Sequence, residues 1–432
     1  MPLRKNQANL LSNKVKNFIF TFIFLISRAF ALFYSFPCIT DVPSYLEWSK
    51  KLQSNLIPYI QFNFEYPPLA LIPIYWSGIF SNAELTSYYI AFAFFMFSAD
   101  FFCLKICQNY CKNRLAMNKE QVCYMTLLYS LFGLLLFRIL YHRLDIVVAL
   151  FFVTSLFFFQ TKNSKVTPQF FINGLLGFFY KIVPAFIMPS AFIIKAFIAA
   201  ESTKDSKQII KKIFLNSLLF AVSLAAITWT LEIYTNHRFI DNMLYHQKRG
   251  IQIESSYGSF LLIKNLLISS SHSEIYSAFG SYNVLGNNSF EFSAKFFGNL
   301  ILCCFYSALF FIFLFKKNLG KKIKFSEKQF LEVTLITILL LISFQRILSP
   351  QFFIWLIPIS AMWLAQNRYL KFLVIFSFLF FSTFFLFSVD YISLIDESPI
   401  MVTTLFLRNC VLIIFTIWLT INFLKNLKNA AH

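Results

Sequence analysis

Apolar positions in this chain neither alternate nor form narrow stripes; they come in long runs separated by short polar stretches. A helix needs about 20 apolar residues to cross roughly 30 Å of hydrocarbon, because each residue advances it only about 1.5 Å. Runs at or near that length occupy 17–34, 86–108, 122–141, 145–161, 169–180, 182–199, 213–235, 296–315, 329–347, 350–366, 369–388 and 403–424. The pattern predicts twelve spans in one polytopic domain over 1–432, an all-α integral membrane fold. Two further apolar pieces, 67–80 and 257–270, are short and read as dips or interfacial helices.

Composition removes the alternatives. Hydrophobic residues make up 58% of the 432 and charged residues 13%, with 60 phenylalanines. A soluble domain carries about a quarter charged residues, so a water-soluble core, a disordered chain and a disulfide scaffold all fall. The net charge of +19 could suggest a nucleic-acid partner. Its distribution argues orientation instead. With Arg4, Lys5, Lys14 and Lys16 in the cytoplasm, alternation puts the clusters at 112–119, 204–212, 316–328 and 425–428 there too, provided 67–80 does not cross. Both termini are then cytoplasmic, and no nucleic acid is expected. Span 17–34 lacks a small-residue cleavage site and reads as retained. Of eight cysteines only Cys38 is placed outside, so no external disulfide framework is expected. Cys103, Cys107 and Cys111 share a helix face, but without a supporting ligand cluster they read as apolar filler.

The outer face then holds two long segments, 35–85 and 236–295, and recognition or chemistry belongs there. In the first, Asp41 precedes Pro43 and an amphipathic stretch through Tyr45 and Trp48, which predicts a helix lying at the interface with its aromatics at headgroup depth. Asp41 is either that helix's cap or a carboxylate held beside a membrane-embedded substrate. Glu65-Tyr66-Pro67-Pro68 then returns the chain rigidly toward the bilayer, and irregular backbone at that depth lines a cavity or is buried in protein. Arg143, Lys181 and Arg346 stand at outer span ends, where a membrane-anchored phosphate would require cations. Snorkelling, or an Arg143–Asp145 pair, is the plainer reading. Arg28 and Arg408 lie mid-span with no partner evident from sequence. The second segment carries Tyr245-His246-Gln247-Lys248-Arg249-Gly250-Ile251-Gln252-Ile253-Glu254, a solvated loop or a second wall of the same site.

Taken in order, Asp41, Pro58-Tyr59, Glu65 through Pro68, Leu144-Asp145, Gly177 through Lys181 to Pro184, Arg249 through Ser255, and Ser349-Pro350-Gln351 resemble the GT-C superfamily of polytopic glycosyltransferases. They are most similar to family 87, the polyprenyl-phosphate-mannose-dependent mannosyltransferases. The resemblance implies inverting transfer of mannose, or another hexose or pentose, from a polyprenyl-phosphate-linked donor to a hydroxyl of a glycolipid or glycan. The site would be on the outer face of a bacterial inner membrane. It casts Asp41 as general base; by charge and depth Lys181, Arg143 and Arg346 are the candidate donor-phosphate groups, with Glu65, Tyr66, Asp145, Arg249, Gln252, Glu254 and Gln351 as candidate substrate-binding residues. Relatives often carry a second Asp two residues beyond the first. Here that position is Pro43, so no divalent metal is assigned, and the co-substrate is the lipid-linked sugar alone. A transporter or lipid flippase is the competing expectation; it would show matching broken helices in two halves, and no such duplication is seen.

Overall fold

A computed structural model of the chain describes residues 19–34, 41–82, 84–161, 163–199, 206–244, 248–269, 273–278, 280–319 and 325–429. Among these residues it is overwhelmingly helical, and the chain is an integral membrane protein. Its helices are α1 (Ile19–Tyr34), α2 (Val42–Gln53), α3 (Leu71–Ile79), α4 (Leu85–Asn113), α5 (Lys119–Leu135) and α6 (Phe137–Leu140). They continue with α7 (Asp145–Phe158), α8 (Pro168–Lys181), α9 (Met188–Ala199), α10 (Ser206–Tyr234), α11 (Phe239–Leu244) and α12 (Ser256–Lys264). The last are α13 (Asn288–Asn318), α14 (Glu327–Phe344), α15 (Phe353–Asn367), α16 (Leu370–Phe384), α17 (Tyr391–Ile395) and α18 (Pro399–Asn429).

A helix falls on each of the twelve expected spans, but among the described residues only five are long and apolar enough to cross a membrane by length and composition: α4, α10, α13, α16 with its following turn, and α18. The shortfall has local causes. At Val183–Ile187 the Pro184 segment tightens into a 3₁₀ turn and splits the 182–199 run, leaving α9 with 12 residues. After Leu135 the chain breaks at Leu136, and residues 137–140 form a separate turn of helix. The 67–80 piece does not cross: Pro68–Ala70 form a 3₁₀ turn and the nine residues of α3 rise only about 14 Å.

Polar starts explain where the helices begin. Asn118 and Gln121 at α5, and Ser326 and Gln329 at α14, close reciprocal capping boxes that satisfy free backbone N–H groups. Thr167 caps α8 one residue before Pro168, and Ser255 caps α12. The second outer segment adds a feature the helical reading lacks, a small antiparallel sheet. Strands β1 (Ile251–Gln252) and β2 (Ile275–Ala278) flank β3 (Ser281–Val284), with Ile251 opposite Val284 and Tyr276 opposite Asn283.

The buried mid-span charges are paired. Arg28 Nε donates to Asp100 at 2.7 Å, and the Tyr129 and Tyr141 hydroxyls donate to the same carboxylate at 2.6 and 2.7 Å. Arg408 donates to the Glu254 carbonyl at 2.8 Å and to the Asn409 side chain. Charges that seemed partnerless therefore bolt α1 to α4 and α18 to the second outer segment. Cys38, His246, His272, Lys204 and most of the 316–328 lysine cluster's loop (320–324) lie outside the described residues.

Candidate active site

The start of α2, α6, the ends of α8 and α14, α13, the start of α15, and the turn after α16 together with α17 converge on one region. Between them lies a cavity of about 880 Å³. Asp41, Glu65, Tyr66, Arg143, Lys181, Arg249, Gln252, Glu254 and Gln351 all line it. The two outer segments, far apart in sequence, thus form facing walls.

Asp41 occupies the N-cap position of α2, yet its side chain makes no capping hydrogen bond. Its carboxylate pairs with the Arg143 guanidinium and receives a weaker bond from the Tyr45 hydroxyl at 3.4 Å. Capping is therefore not what orients it. The side chain is 28% exposed, and that opening is toward the cavity wall it helps form. The α2 aromatics face inward. Tyr45 is buried, and Trp48 lines the cavity with its ring 5.0 Å from Phe64, edge to face.

Lys181 sits at the last residue of α8, where a cation suits the helix's negative end. Its ammonium donates to both oxygens of Asp145 at 2.8 Å and stands 5.6 Å from the Tyr66 ring. Trp355 Nε1 holds Asp145 from behind at 2.7 Å. Asp145 is thus buried and paired with Lys181, and it is not among the residues that line the cavity. The Arg143–Asp145 pair considered above does not form; each of the two takes another partner. Arg249 pairs with Glu65 at 3.3 Å. Arg346 does not line the cavity either. It donates to the Arg249 carbonyl, and its own carbonyl accepts from Gln252 N–H at 3.0 Å, so it fixes the β1 strand in place.

Burial sets the electrostatics of the outer groups. It pushes the Arg143 guanidinium down to about 10 against the opposing pull of Asp145 and Glu254. It raises Glu65 above the ordinary carboxyl range against the pull of Arg249. Glu254 is raised likewise, opposed by the Tyr391 hydroxyl, which donates to its Oε1 at 2.7 Å. The other oxygen, Oε2, is buried with no hydrogen-bond partner, as is Gln252 Oε1. Two unpaired acceptors thus stand two residues apart beside the cavity. Buried acceptors cost about 1–3 kcal/mol each when unpaired, so hydroxyl donors are the complementary ligand.

Glu47, a conceivable second carboxylate, is exposed and salt-bridged to Lys51 at 2.6 Å. Among the described residues no group of three His, Cys, Asp or Glu side chains could hold a metal ion. Among the lining residues missed from sequence are Arg138, Tyr391 and Tyr282. Arg138, within the 122–141 run, carries the same signal that singled out Lys181, a cation near a span's outer end. Tyr391 and Tyr282, whose rings lie 6.1 Å apart, have no comparable signal, since only the fold brings them to Glu254.

No family model matches this chain, and no curated protein matches it. Among solved structures it is similar to ArnT from Cupriavidus metallidurans bound to undecaprenyl phosphate, at TM-score 0.48 and 10% identity, covering 94% of this chain and 77% of that one. It is similar also to ArnT in the apo state, at TM-score 0.46 and 11% identity with the same coverage.

Proposed function

We propose that the chain is a GT-C-type glycosyltransferase that moves a sugar from a polyprenyl-phosphate donor to an acceptor hydroxyl, with inversion, on the non-cytoplasmic face. The observation that supports this most is the cavity's make-up. One non-capping carboxylate, Asp41, shares about 880 Å³ with cations and unpaired acceptors. Inversion needs one base to take the acceptor proton while the anomeric carbon is attacked opposite the departing phosphate. Asp41 fills that role, and Arg143 beside it couples the base to the phosphate's growing charge. Lys181, steered by Asp145, supplies a second cation in a partly dry site, where such charges act strongly. Arg346 positions β1, and Gln252, Glu254, Glu65, Tyr66, Arg249 and Gln351 meet the sugar or the acceptor. Mannose is the sugar favoured by the sequence resemblance, and a glycolipid or glycan the acceptor.

The test is direct. Purified protein incubated with radiolabelled polyprenyl-phosphate-mannose and a set of glycolipid acceptors is expected to release polyprenyl phosphate and label one acceptor. Movement of intact donor across a vesicle bilayer without transfer would identify a flippase instead.

A further inference from the structure

We propose that Arg138 receives the donor's phosphate, and that the cavity lobe between α6 and residues 385–395 is where the isoprenoid tail passes between bilayer and site. This rests on the reading of the cavity as a lipid-phosphate-sugar site. The first support is charge accounting. Four cations line the cavity, and three of them face carboxylates: Arg143 faces Asp41, Lys181 faces Asp145, and Arg249 faces Glu65. Arg138 has no ion pair among the described residues, and its Nε is buried without a hydrogen-bond partner. Its guanidinium stands 5.9 Å from the Phe137 ring, on an apolar floor. A guanidinium with no counter-ion among the described residues fits a phosphate's oxygens in a two-point fork.

The second support is what lies opposite. Val389 and Ile392 line the lobe and are 56% and 62% exposed, so the rim beside Arg138 is greasy. Stacking of Phe132 on Phe380 at 4.4 Å and the tilted packing of Phe137 against Phe384 at 6.0 Å set α5 and α6 against α16. Exposed Leu131 and Phe381 flank these pairs, continuing an apolar lane along the seam toward the membrane interior. Asp390 is the carboxylate of this lobe. It is committed to capping α17, where Ser393 N–H donates at 3.1 Å and the Ser393 hydroxyl donates as well. A cation at the head of an apolar lane is the form a lipid phosphate requires.

The probe is polyprenyl phosphate without sugar, bound to purified protein in nanodiscs, with polyprenol and inorganic phosphate as comparison ligands. Arg138→Ala is expected to weaken polyprenyl phosphate about ten- to a hundredfold while leaving polyprenol unchanged; Arg138→Lys keeps most of the affinity. In transfer assays the donor KM should rise with kcat at saturating donor within a few-fold. Unchanged polyprenyl phosphate affinity in folded Arg138→Ala overturns the assignment, as does an equal loss of polyprenol. Inorganic phosphate bound as tightly as the lipid refutes the tail's lane. Should Arg138→Ala not fold, a photoreactive isoprenoid phosphate on wild-type protein decides: cross-links within 385–395 support the lobe, and cross-links confined to α13 or α14 overturn it. Arg138-dependent binding without sugar transfer would sink the transferase reading alone. Transfer with Arg138-independent binding would sink this inference alone.

Discussion

Replacing Asp41 by asparagine changes one oxygen to nitrogen and removes the only feature a base needs, its capacity to take a proton. The stability side is small. The Asp41 and Arg143 side chains are 28% and 15% exposed, and a partly solvated pair contributes about 1 kcal/mol or less. Asparagine keeps an acceptor for Arg143, and α2 loses no cap because Asp41 makes no capping bond. The kinetic side is large. A positioned general base is worth about 10²–10⁴-fold, or about 3–5 kcal/mol of barrier. The expected result is a folded, membrane-inserted protein whose kcat falls by about that factor while the donor KM moves little. Arg143→Gln should also slow transfer, and because the two act as a unit, the double variant should be barely slower than Asp41→Asn. The assay is initial-rate transfer from labelled donor, with melting and size-exclusion profiles as controls. Turnover of Asp41→Asn within about tenfold of wild type would refute the base assignment, because it falls outside the range a positioned base supplies.

Three further outcomes follow from the structure. A Cβ at Gly258 would lie 2.4 Å from the Gln252 carbonyl oxygen and 2.7 Å from that of Ile253, so Gly258→Ala must displace the backbone that carries Gln252 and Glu254. We expect a loss of about 1–3 kcal/mol and a kcat/KM defect with Asp41 untouched, checked by melting and transfer assays. Asp100→Asn leaves the buried Arg28 without its counter-ion, a loss of about 3–5 kcal/mol, seen as poor yield or a much lower Tm. His142, whose ring lies tilted 4.5 Å from that of Tyr89, is pushed by burial down to about 4. The unfolded imidazole protonates below about 6.5 while the folded one stays neutral, so its contribution is complete above 6.5 and fades as pH falls toward 4. That amounts to about 3 kcal/mol, and His142→Phe should flatten the loss of Tm between pH 7 and 4.5; parallel curves would contradict it.

How far the sequence led can be judged residue by residue. Long apolar runs announced the helices because the bilayer imposes length on them, and the two long polar segments between those runs named where to look. Asp41, Glu65, Arg143, Lys181, Arg249, Gln252, Glu254 and Gln351 were legible as polar residues at the ends of apolar runs, and all line one cavity. Pairing was not legible. That Arg143 meets Asp41 while Lys181 takes Asp145 depends on how α2, α7 and α8 converge, which no local pattern encodes. The small sheet escaped notice because β1 has only two residues and its partner strand lies beyond a stretch of helix. Arg138 escaped because a single cation inside an apolar run reads first as a snorkelling side chain.

The account's central claim is that Asp41 and a lipid phosphate share this cavity, and electron cryomicroscopy of the protein with a non-hydrolysable polyprenyl-phosphate-hexose tests it most directly. The expected density places the sugar's anomeric carbon on the Asp41 side of the cavity, the phosphate between Arg138, Arg143 and Lys181, and the tail along the α5–α16 seam. Density for the donor outside the cavity, with Asp41 still closed on Arg143 and no sugar near Glu254, would contradict it.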